Sequence, residues 1–239
     1  MVTLQKHGSK YGINSSGQYL GEVECHHNTH HMNACYVEVN IPCLDVHISE
    51  ELFAKLKERE GLPLQAMSAS NDTAMVDFLK AGGFRCKRKC YEVEAAAEDY
   101  IGGDGDLQLC SCVVGEPEYG ECCRMVYRYY TETHKAVNPL TSDLAAFRMN
   151  LPGKAVYAMH NDQIVSLAFV EGKEIAYVCG ADKTHFVRFA RSLVTFMLDE
   201  HKTLFFEADD CDWATMALRF LFKNLDDASY DTYILGDAL

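Results

Sequence analysis

The chain has 239 residues, of which 48% are apolar and 24% charged, and its net charge is -13. This composition excludes a disordered chain, and the length is enough for one large or two small domains with buried cores. The acidic balance disfavours a nucleic-acid partner and favours a cationic substrate. No apolar run is long enough to span a bilayer, and the first residues lack the apolar core of a signal peptide. We therefore expect no membrane partner and a cytoplasmic location.

The eleven cysteines are an odd number, and no two of them have the Cys-x-x-Cys spacing of a redox or zinc motif. The nearest pairs are Cys110 with Cys112 and Cys122 with Cys123. Reduced thiols that act as small core residues are the simplest interpretation.

The first half of the chain reads as strands followed by alternating helices and strands. Residues 10–41 have the turn spacing of a three-strand meander, and a helix follows with Ser49 as its N-cap. A strand at Leu64–Ser70, a helix at Asn71–Ala81 and a strand at Phe84–Glu94 complete this half.

The second half repeats this order after a small, acidic and glycine-rich linker at residues 95–106. Its predicted elements are a strand at 107–114, helices at 121–134 and 142–151, a meander over 154–180, a helix from His185, a strand at 203–209, a helix at 212–225 and a strand at 230–235. The repetition predicts two tandem domains of one mixed α/β (α+β) fold, at residues 1–98 and 107–239.

The stretch Glu174–Leu198 has the pattern of an anion site. An apolar strand breaks at Gly180, and the following helix begins with free backbone N–H groups and the positive end of its dipole. Four cationic side chains lie near that end: Lys183, His185, Arg188 and Arg191. We interpret it as a cradle for the phosphates of a cofactor.

Two segments carry a family resemblance. NDTAMVDFLKAGGFRCKR, from Asn71 to Arg88, resembles the late helix of the GNAT superfamily of N-acetyltransferases. KAVYAMHNDQIVSLAFVEGKEIAYVCG, from Lys154 to Gly180, is similar to that superfamily's central hairpin and cofactor strand. The resemblance implies two GNAT-like domains with mixed, mostly antiparallel sheets flanked by helices. It also implies N-acetyltransferase activity with acetyl-CoA as co-substrate and no metal.

The resemblance assigns acetyl-CoA to the second domain. The superfamily's R/Q-x-x-G-x-G/A motif aligns with residues 185–190, where Ala190 fits and Arg188 replaces a glycine. The implied cofactor-binding residues are Tyr177, Val178, Cys179, Gly180, Lys183, His185, Phe186, Val187, Arg188, Phe189, Ala190 and Arg191. The first domain lacks the glycine and has carboxylates at the corresponding helix, which would repel phosphates, so we expect it to be non-catalytic.

Acyl transfer from a thioester to an amine requires a base for the amine and an acid for the leaving thiolate. The resemblance makes Glu174 the base, with Glu207 as an alternative. In the family, a tyrosine on the late helix acts as the general acid. The late helix of the second domain has phenylalanines instead, so Tyr230, just beyond it, is the candidate acid.

Other interpretations remain open. The fold could serve a degenerate binding module or dimerisation scaffold instead of an enzyme. The run His26-His27-Asn28-Thr29-His30-His31 suggests a metal. With a turn at Asn28-Thr29, however, each face offers two imidazoles, fewer than zinc requires. The acceptor is predicted to be a small-molecule amine or a peptide, and a homodimer is left open.

Overall fold

A computed structural model describes residues 1–236 of the chain. The strands are β1 Val2–His7, β2 Lys10–Ser15, β3 Gln18–Asn28, β4 His31–Asn40, β5 Leu64–Ala69, β6 Arg85–Ala96, β7 Cys110–Val113, β8 Lys154–His160, β9 Gln163–Glu171, β10 Glu174–Gly180, β11 Thr203–Asp209 and β12 Tyr230–Leu235. The α-helices are α1 Val46–Glu60, α2 Thr73–Ala81, α3 Pro117–His134, α4 Leu144–Arg148, α5 Lys183–Glu200 and α6 Trp213–Arg219. None of the helices in this part of the chain is both long and apolar enough to cross a membrane.

The chain forms two compact units, each built from separated stretches of sequence. The N-terminal unit contains residues 1–89, 135–142 and the chain from Ala228 onward, and the C-terminal unit contains residues 90–134 and 143–227. These units differ from the contiguous domains expected from the sequence, because β12 pairs along its whole length with β5. The last strand of the chain therefore completes the N-terminal unit.

The N-terminal unit has a sheet in the order β1-β2-β3-β4-β5-β12. All neighbouring strands are antiparallel except β4 and β5, which are parallel. Its core includes Val23, Phe53 and Phe78. The strand β1 precedes the meander and was not predicted.

Helix α1 begins before the predicted N-cap. Asp45 caps it by accepting a hydrogen bond from the His47 N–H at 3.0 Å, and the predicted cap Ser49 is buried within the first turns. Ser49 Oγ instead donates to the carbonyl of Phe78 on α2. The end of α2 explains the paired glycines of the recognised motif. A Cβ on Gly82 would lie 2.4 Å from the Phe53 ring, and Gly83 has a φ of +87°.

The C-terminal unit has the order β6-β11-β10-β9-β8-β7, in which β6 contributes its residues from Cys90 on. Only β10 and β11 are parallel. Helix α6 is half the length predicted from its apolar pattern. After Arg219 the backbone forms hydrogen bonds with residues 99–101 instead of continuing the helix. Ile101 N–H donates to Leu221 O, and Lys223 N–H donates to Asp99 O. These bonds end the helix.

In both units the parallel strands separate soon after they meet. Cys35 pairs with Leu64 and Tyr36 with Gln65 before β4 and β5 diverge. Glu174 with Phe205 is the register pair between β10 and β11. Each divergence makes a wedge-shaped notch whose walls are strand edges.

Candidate active site

The predicted phosphate cradle at the start of α5 already holds a carboxylate. Asp182 caps the helix, and its side chain accepts a hydrogen bond from the His185 N–H at 2.7 Å. A negative side chain at a helix N-terminus takes one of the N–H groups that a phosphate would use and adds a negative charge there. Asp182 therefore competes with an anion at this helix start.

The cations near this end of α5 have partners within the C-terminal unit. Arg188 forms a two-pronged ion pair with Asp106, at 2.7 Å and 3.1 Å. His185 Nδ1 lies 2.9 Å from Ser166 Oγ, and burial lowers the pKa of this imidazole. The remaining two differ in their contacts: Lys183 lies over the Trp213 ring at 5.4 Å, and Arg191 is exposed on α5.

Most other predicted cofactor residues belong to the core. Six are buried, namely Val178, Cys179, Gly180, Phe186, Phe189 and Ala190, and Val187 is half-buried. Burial also raises the pKa of the Cys179 thiol. The six buried residues can offer a ligand only their backbone groups.

Two of the predicted catalytic residues lie close together in the C-terminal unit. Burial raises the pKa of Tyr177, and the negative charges of Glu207 and Glu174 raise it further. Glu174 is half-buried at the start of β10, whereas Glu207 is exposed on β11. Tyr230 belongs to the N-terminal unit instead, where it begins β12.

Side chains pack closely beside the C-terminal notch. Tyr129 OH donates to Asp212 at 2.5 Å, and the Trp213 ring packs edge-on against Tyr129 and Phe186. These contacts join α3, α5 and the start of α6.

The notch of the N-terminal unit contains an open cleft of about 460 Å³. Beyond the Tyr36–Gln65 pair, its walls are β4 and β5, with α2 and the start of β12 completing them. The polar side chains that line it are His26, Tyr36, Glu38, Gln65, Ser68, Asp72 and Tyr230. The cleft therefore combines titratable groups with strand edges.

Three of these side chains form a compact group. The His26 ring stacks on the Tyr36 ring, with centroids 5.4 Å apart and planes inclined by 28°. His26 Nδ1 lies 3.9 Å from Glu38 Oε1, close enough for an ion pair when the imidazole is protonated. An imidazole in this position can act as a general base, because the carboxylate stabilises the imidazolium that forms.

The Tyr36 hydroxyl is held in place and remains protonated. Asn138 Nδ2 donates to it at 2.8 Å. Burial raises the pKa of Tyr36, and this effect outweighs the hydrogen bonds from Asn138 and Gln65 and the charge of Arg88, which act in the opposite direction. A phenol with a raised pKa is a proton donor at neutral pH.

Gln65 supplies a buried acceptor in the same cleft. Its side chain is 1% exposed, and within residues 1–236 its Oε1 accepts no hydrogen bond. A buried carbonyl oxygen without a donor costs about 1–3 kcal/mol. An N–H donor could remove this cost only after a side-chain rotation that turns Oε1 toward the cleft.

The N-terminal unit does not provide a phosphate cradle of the expected kind. Asp45 caps α1, and the connection from β4 to α1 has no glycine. Each helix start therefore has a cap carboxylate, Asp45 on α1 and Asp182 on α5, which accepts one backbone N–H.

The histidine run does not form the symmetric hairpin expected from the sequence. The turn residues are Thr29 and His30, one position later than predicted, and Asn28 pairs with His31. His30 Nδ1 contacts Ser142 Oγ at 2.9 Å, and His31 Nδ1 contacts Pro139 O at 3.2 Å. The four imidazoles therefore have different partners instead of facing each other in pairs.

Sequence reasoning missed His26, Tyr36 and Glu38 as a group. The available signal was the alternation Tyr36-x-Glu38 on one predicted strand, which places both side chains on one face. The carboxylates near the start of α1, Asp45, Glu50 and Glu51, lie outside the cleft.

No protein-family model matches the chain, and no curated protein sequence matches it. Solved structures do. A GCN5-related N-acetyltransferase from Sphaerobacter thermophilus superposes with a TM-score of 0.58 at 11% identity, covering 96% of this chain and 81% of its own. A conserved protein of unknown function from Enterococcus faecalis V583 gives 0.52 at 12% identity, over 94% of this chain and 61% of its own.

A tandem GNAT protein from the clavulanic acid biosynthesis pathway gives a TM-score of 0.50 at 11% identity, covering 96% of this chain and 82% of its own. At these identities the likeness shows the fold. The chain has the GNAT acetyltransferase fold, as the sequence predicted.

Proposed function

We propose that the protein is an N-acyltransferase that moves an acetyl group from acetyl-CoA to a primary amine of a cationic small molecule or peptide. The observation that carries this proposal is the opening of β4 and β5 directly after Tyr36 and Gln65, into a cleft that holds an acid, a base and an unpaired acceptor. The GNAT fold supports acyl-CoA use in general.

Side chains of the cleft can bind the amine, remove its proton and protonate the leaving group. Glu38 and Asp72 give the cleft a negative character that favours an ammonium group. His26 accepts a proton from that ammonium, since only the neutral amine can attack, and Glu38 stabilises the imidazolium. Tyr36 donates its phenolic proton to the departing sulfur, and the phenolate takes back the second proton that the nitrogen loses as the amide forms; the protonated His26 then releases its proton to solvent.

Binding of the thioester would use the strand edges and Gln65. Backbone N–H groups on the diverging strands can donate to a thioester oxygen, and they are fixed before the reaction. Gln65 Oε1 would accept from an amide N–H of the pantetheine arm. The bond broken is the acyl carbon–sulfur bond, and the bond formed joins the acyl carbon to the amine nitrogen.

The C-terminal unit is the second candidate location, because Glu174, Glu207 and Tyr177 lie near one another there. Matched variants separate the two. If the N-terminal cleft is the site, Tyr36→Phe abolishes most CoA release with a panel of amines, while Glu174→Gln leaves it unchanged. The reverse pattern would place the reaction in the C-terminal unit.

Calorimetric titration with acetyl-CoA and with free CoA distinguishes the enzyme from a binding module. Saturable binding of acetyl-CoA together with amine-dependent CoA release supports the transferase. Absence of binding at millimolar acetyl-CoA would overturn it and favour a scaffold with the same fold.

A further inference from the structure

A second group of reactive side chains lies in the N-terminal unit and contributes nothing to the cleft. Cys25 and His27 come from β3, Cys35 from β4, and Glu60 is the last residue of α1. His27 is turned toward Glu60, whereas its neighbour His26 is turned toward Glu38. The group thus connects the β3–β4 hairpin to the C-terminal end of α1.

The distances in this group suit a metal ion. One ligand atom each from His27, Cys35 and Glu60 lies within 4.8 Å of the other two, and His27 Nε2 is 3.8 Å from Glu60 Oε2. Cys25 lies outside this set of three, but it is buried on β3 two residues before His27 and therefore on the same face of the strand. Zinc bonds of about 2.0–2.3 Å in tetrahedral geometry keep ligand atoms roughly 3.3–3.8 Å apart. Small side-chain rotations would therefore close the group around an ion.

The surroundings of Glu60 orient it for this role. Its Oε1 accepts hydrogen bonds from Lys6 Nζ at 3.1 Å and from Tyr11 OH, which leaves Oε2 turned toward His27. Such outer hydrogen bonds fix a ligating carboxylate and tune its charge. Two thiolates and this carboxylate carry three negative charges, which a divalent ion and the Lys6 ammonium would neutralise.

The group is also reachable from solvent. The His27 side chain is 54% exposed, whereas Cys35 is 0% exposed beneath it. An ion can enter beside the exposed His27 imidazole and bind the buried Cys35 sulfur. Donors of this kind, two thiols with an imidazole and a carboxylate, select zinc over calcium or magnesium.

We propose that Cys25, His27, Cys35 and Glu60 form a tetrahedral zinc site that fastens the β3–β4 hairpin to α1. On binding, each thiol loses its proton to the solvent, His27 coordinates through Nε2, and no electron is transferred. This differs from the sequence expectation of no metal, which rested on each face of the predicted hairpin offering only two imidazoles. The site is independent of the acyltransferase proposal.

The test uses tag-free, full-length protein stripped with a chelator and titrated with Zn²⁺ and, separately, with Co²⁺. We expect one Zn²⁺ to bind at this group. In His27→Ala the affinity for this ion should fall by more than ~10–100-fold, the loss that follows removal of an outer hydrogen-bond partner. His26→Ala is the matched control, because it removes an adjacent exposed imidazole, and it should bind Zn²⁺ as wild type does. Co²⁺ should give a thiolate-to-metal charge-transfer band that Cys35→Ser removes.

A separate trio in the C-terminal unit, His134, Asp209 and Cys211, could also hold a metal ion. The test therefore depends on the Zn²⁺ that is lost on substitution, and not on the total Zn²⁺ bound. Cys43→Ser removes an exposed cysteine outside the group and controls for zinc held by surface thiols. Because His27 is exposed, His27→Ala should fold, which circular dichroism checks. Equal Zn²⁺ affinity in His27→Ala and His26→Ala, or a Co²⁺ spectrum without thiolate bands, would overturn the proposal.

Discussion

Tyr36 and Gln65 form the last register pair between β4 and β5, and both side chains line the cleft that opens beyond them. The pairing explains how a phenol and a buried amide come to share one small space. It also explains why the two residues, 29 positions apart in a sequence without an evident local motif, escape sequence reasoning.

Loss of the Tyr36 hydroxyl should slow the reaction without preventing binding. We expect Tyr36→Phe to lower kcat by about 10²–10⁴-fold, since a positioned general acid contributes that much, and to change KM little. Initial rates of CoA release measure both constants. Tyr19→Phe is the control, because Tyr19 lies on β3 and is 60% exposed. An unchanged kcat in Tyr36→Phe would remove Tyr36 from the mechanism.

Loss of His26 should make the rate depend on the protonation of the amine itself. With His26→Ala, only amine that is already neutral can react, so the defect should be large at pH 7. It should shrink as the pH approaches the amine pKa of about 10. The ratio of wild-type to variant kcat/KM across pH 7–10 measures this. A ratio that stays constant would show that His26 does not act as the base.

The Arg188–Asp106 ion pair provides a test of the cofactor position predicted at α5 from the sequence. If α5 bound the diphosphate of acetyl-CoA, Arg188→Glu would weaken binding, because it reverses the charge at that helix. If the cleft of the N-terminal unit is the site, the dissociation constant should stay within about twofold, within the scatter of such titrations. Met67→Trp, which places a large ring in that cleft, should instead abolish binding.

Asp212 should be a strong stabilising residue of the C-terminal unit. It caps α6 by accepting from Ala214 N–H at 2.9 Å and also accepts from Tyr129 OH. Asp212→Ala removes the cap and the acceptor of the half-buried Tyr129 hydroxyl, which we expect to cost about 1–3 kcal/mol of unfolding free energy. Urea unfolding measures it. Asp182→Ala, at the exposed cap of α5, should cost less.

The same carboxyl predicts a pH dependence. Burial raises the pKa of Asp212, against the hydrogen bonds that it accepts. A raised folded pKa means that the folded state holds the proton more tightly. This contribution to stability is therefore full below the unfolded pKa, near 3.9, and declines as the pH rises toward the folded value. Asp212→Asn should lack this decline, so its stability relative to wild type should increase from pH 4 to pH 7. A constant difference would contradict the assignment.

The fold was predictable because it depends on local patterns. Glycine clusters, alternating apolar residues and the segment from Asn71 to Arg88 were enough for the element order and the GNAT resemblance. The errors occurred where contacts between residues far apart in the sequence determine the structure. Helix α6 ends early because residues 99–101 bond to the chain after Arg219, and β12 joins β5 across most of the sequence.

The candidate site was harder to predict for the same reason. The cations near α5 suggested an anion site by their spacing, but the sequence could not show that Asp182 and Asp106 already hold the helix start and Arg188. Conversely, the carboxylates around α1 argued against the N-terminal unit. The cleft lies between β4 and β5. Where it begins depends on which residues of the two strands pair, and sequence patterns specify this register poorly.

Acetyl-CoA titration of wild type, Met67→Trp and Arg188→Glu by calorimetry tests the central claim most directly. Saturable binding that disappears in Met67→Trp and persists in Arg188→Glu is the predicted result, and it would place the thioester in the cleft bounded by β4 and β5. Binding that persists in Met67→Trp but is lost in Arg188→Glu would contradict the claim and return the cofactor to α5.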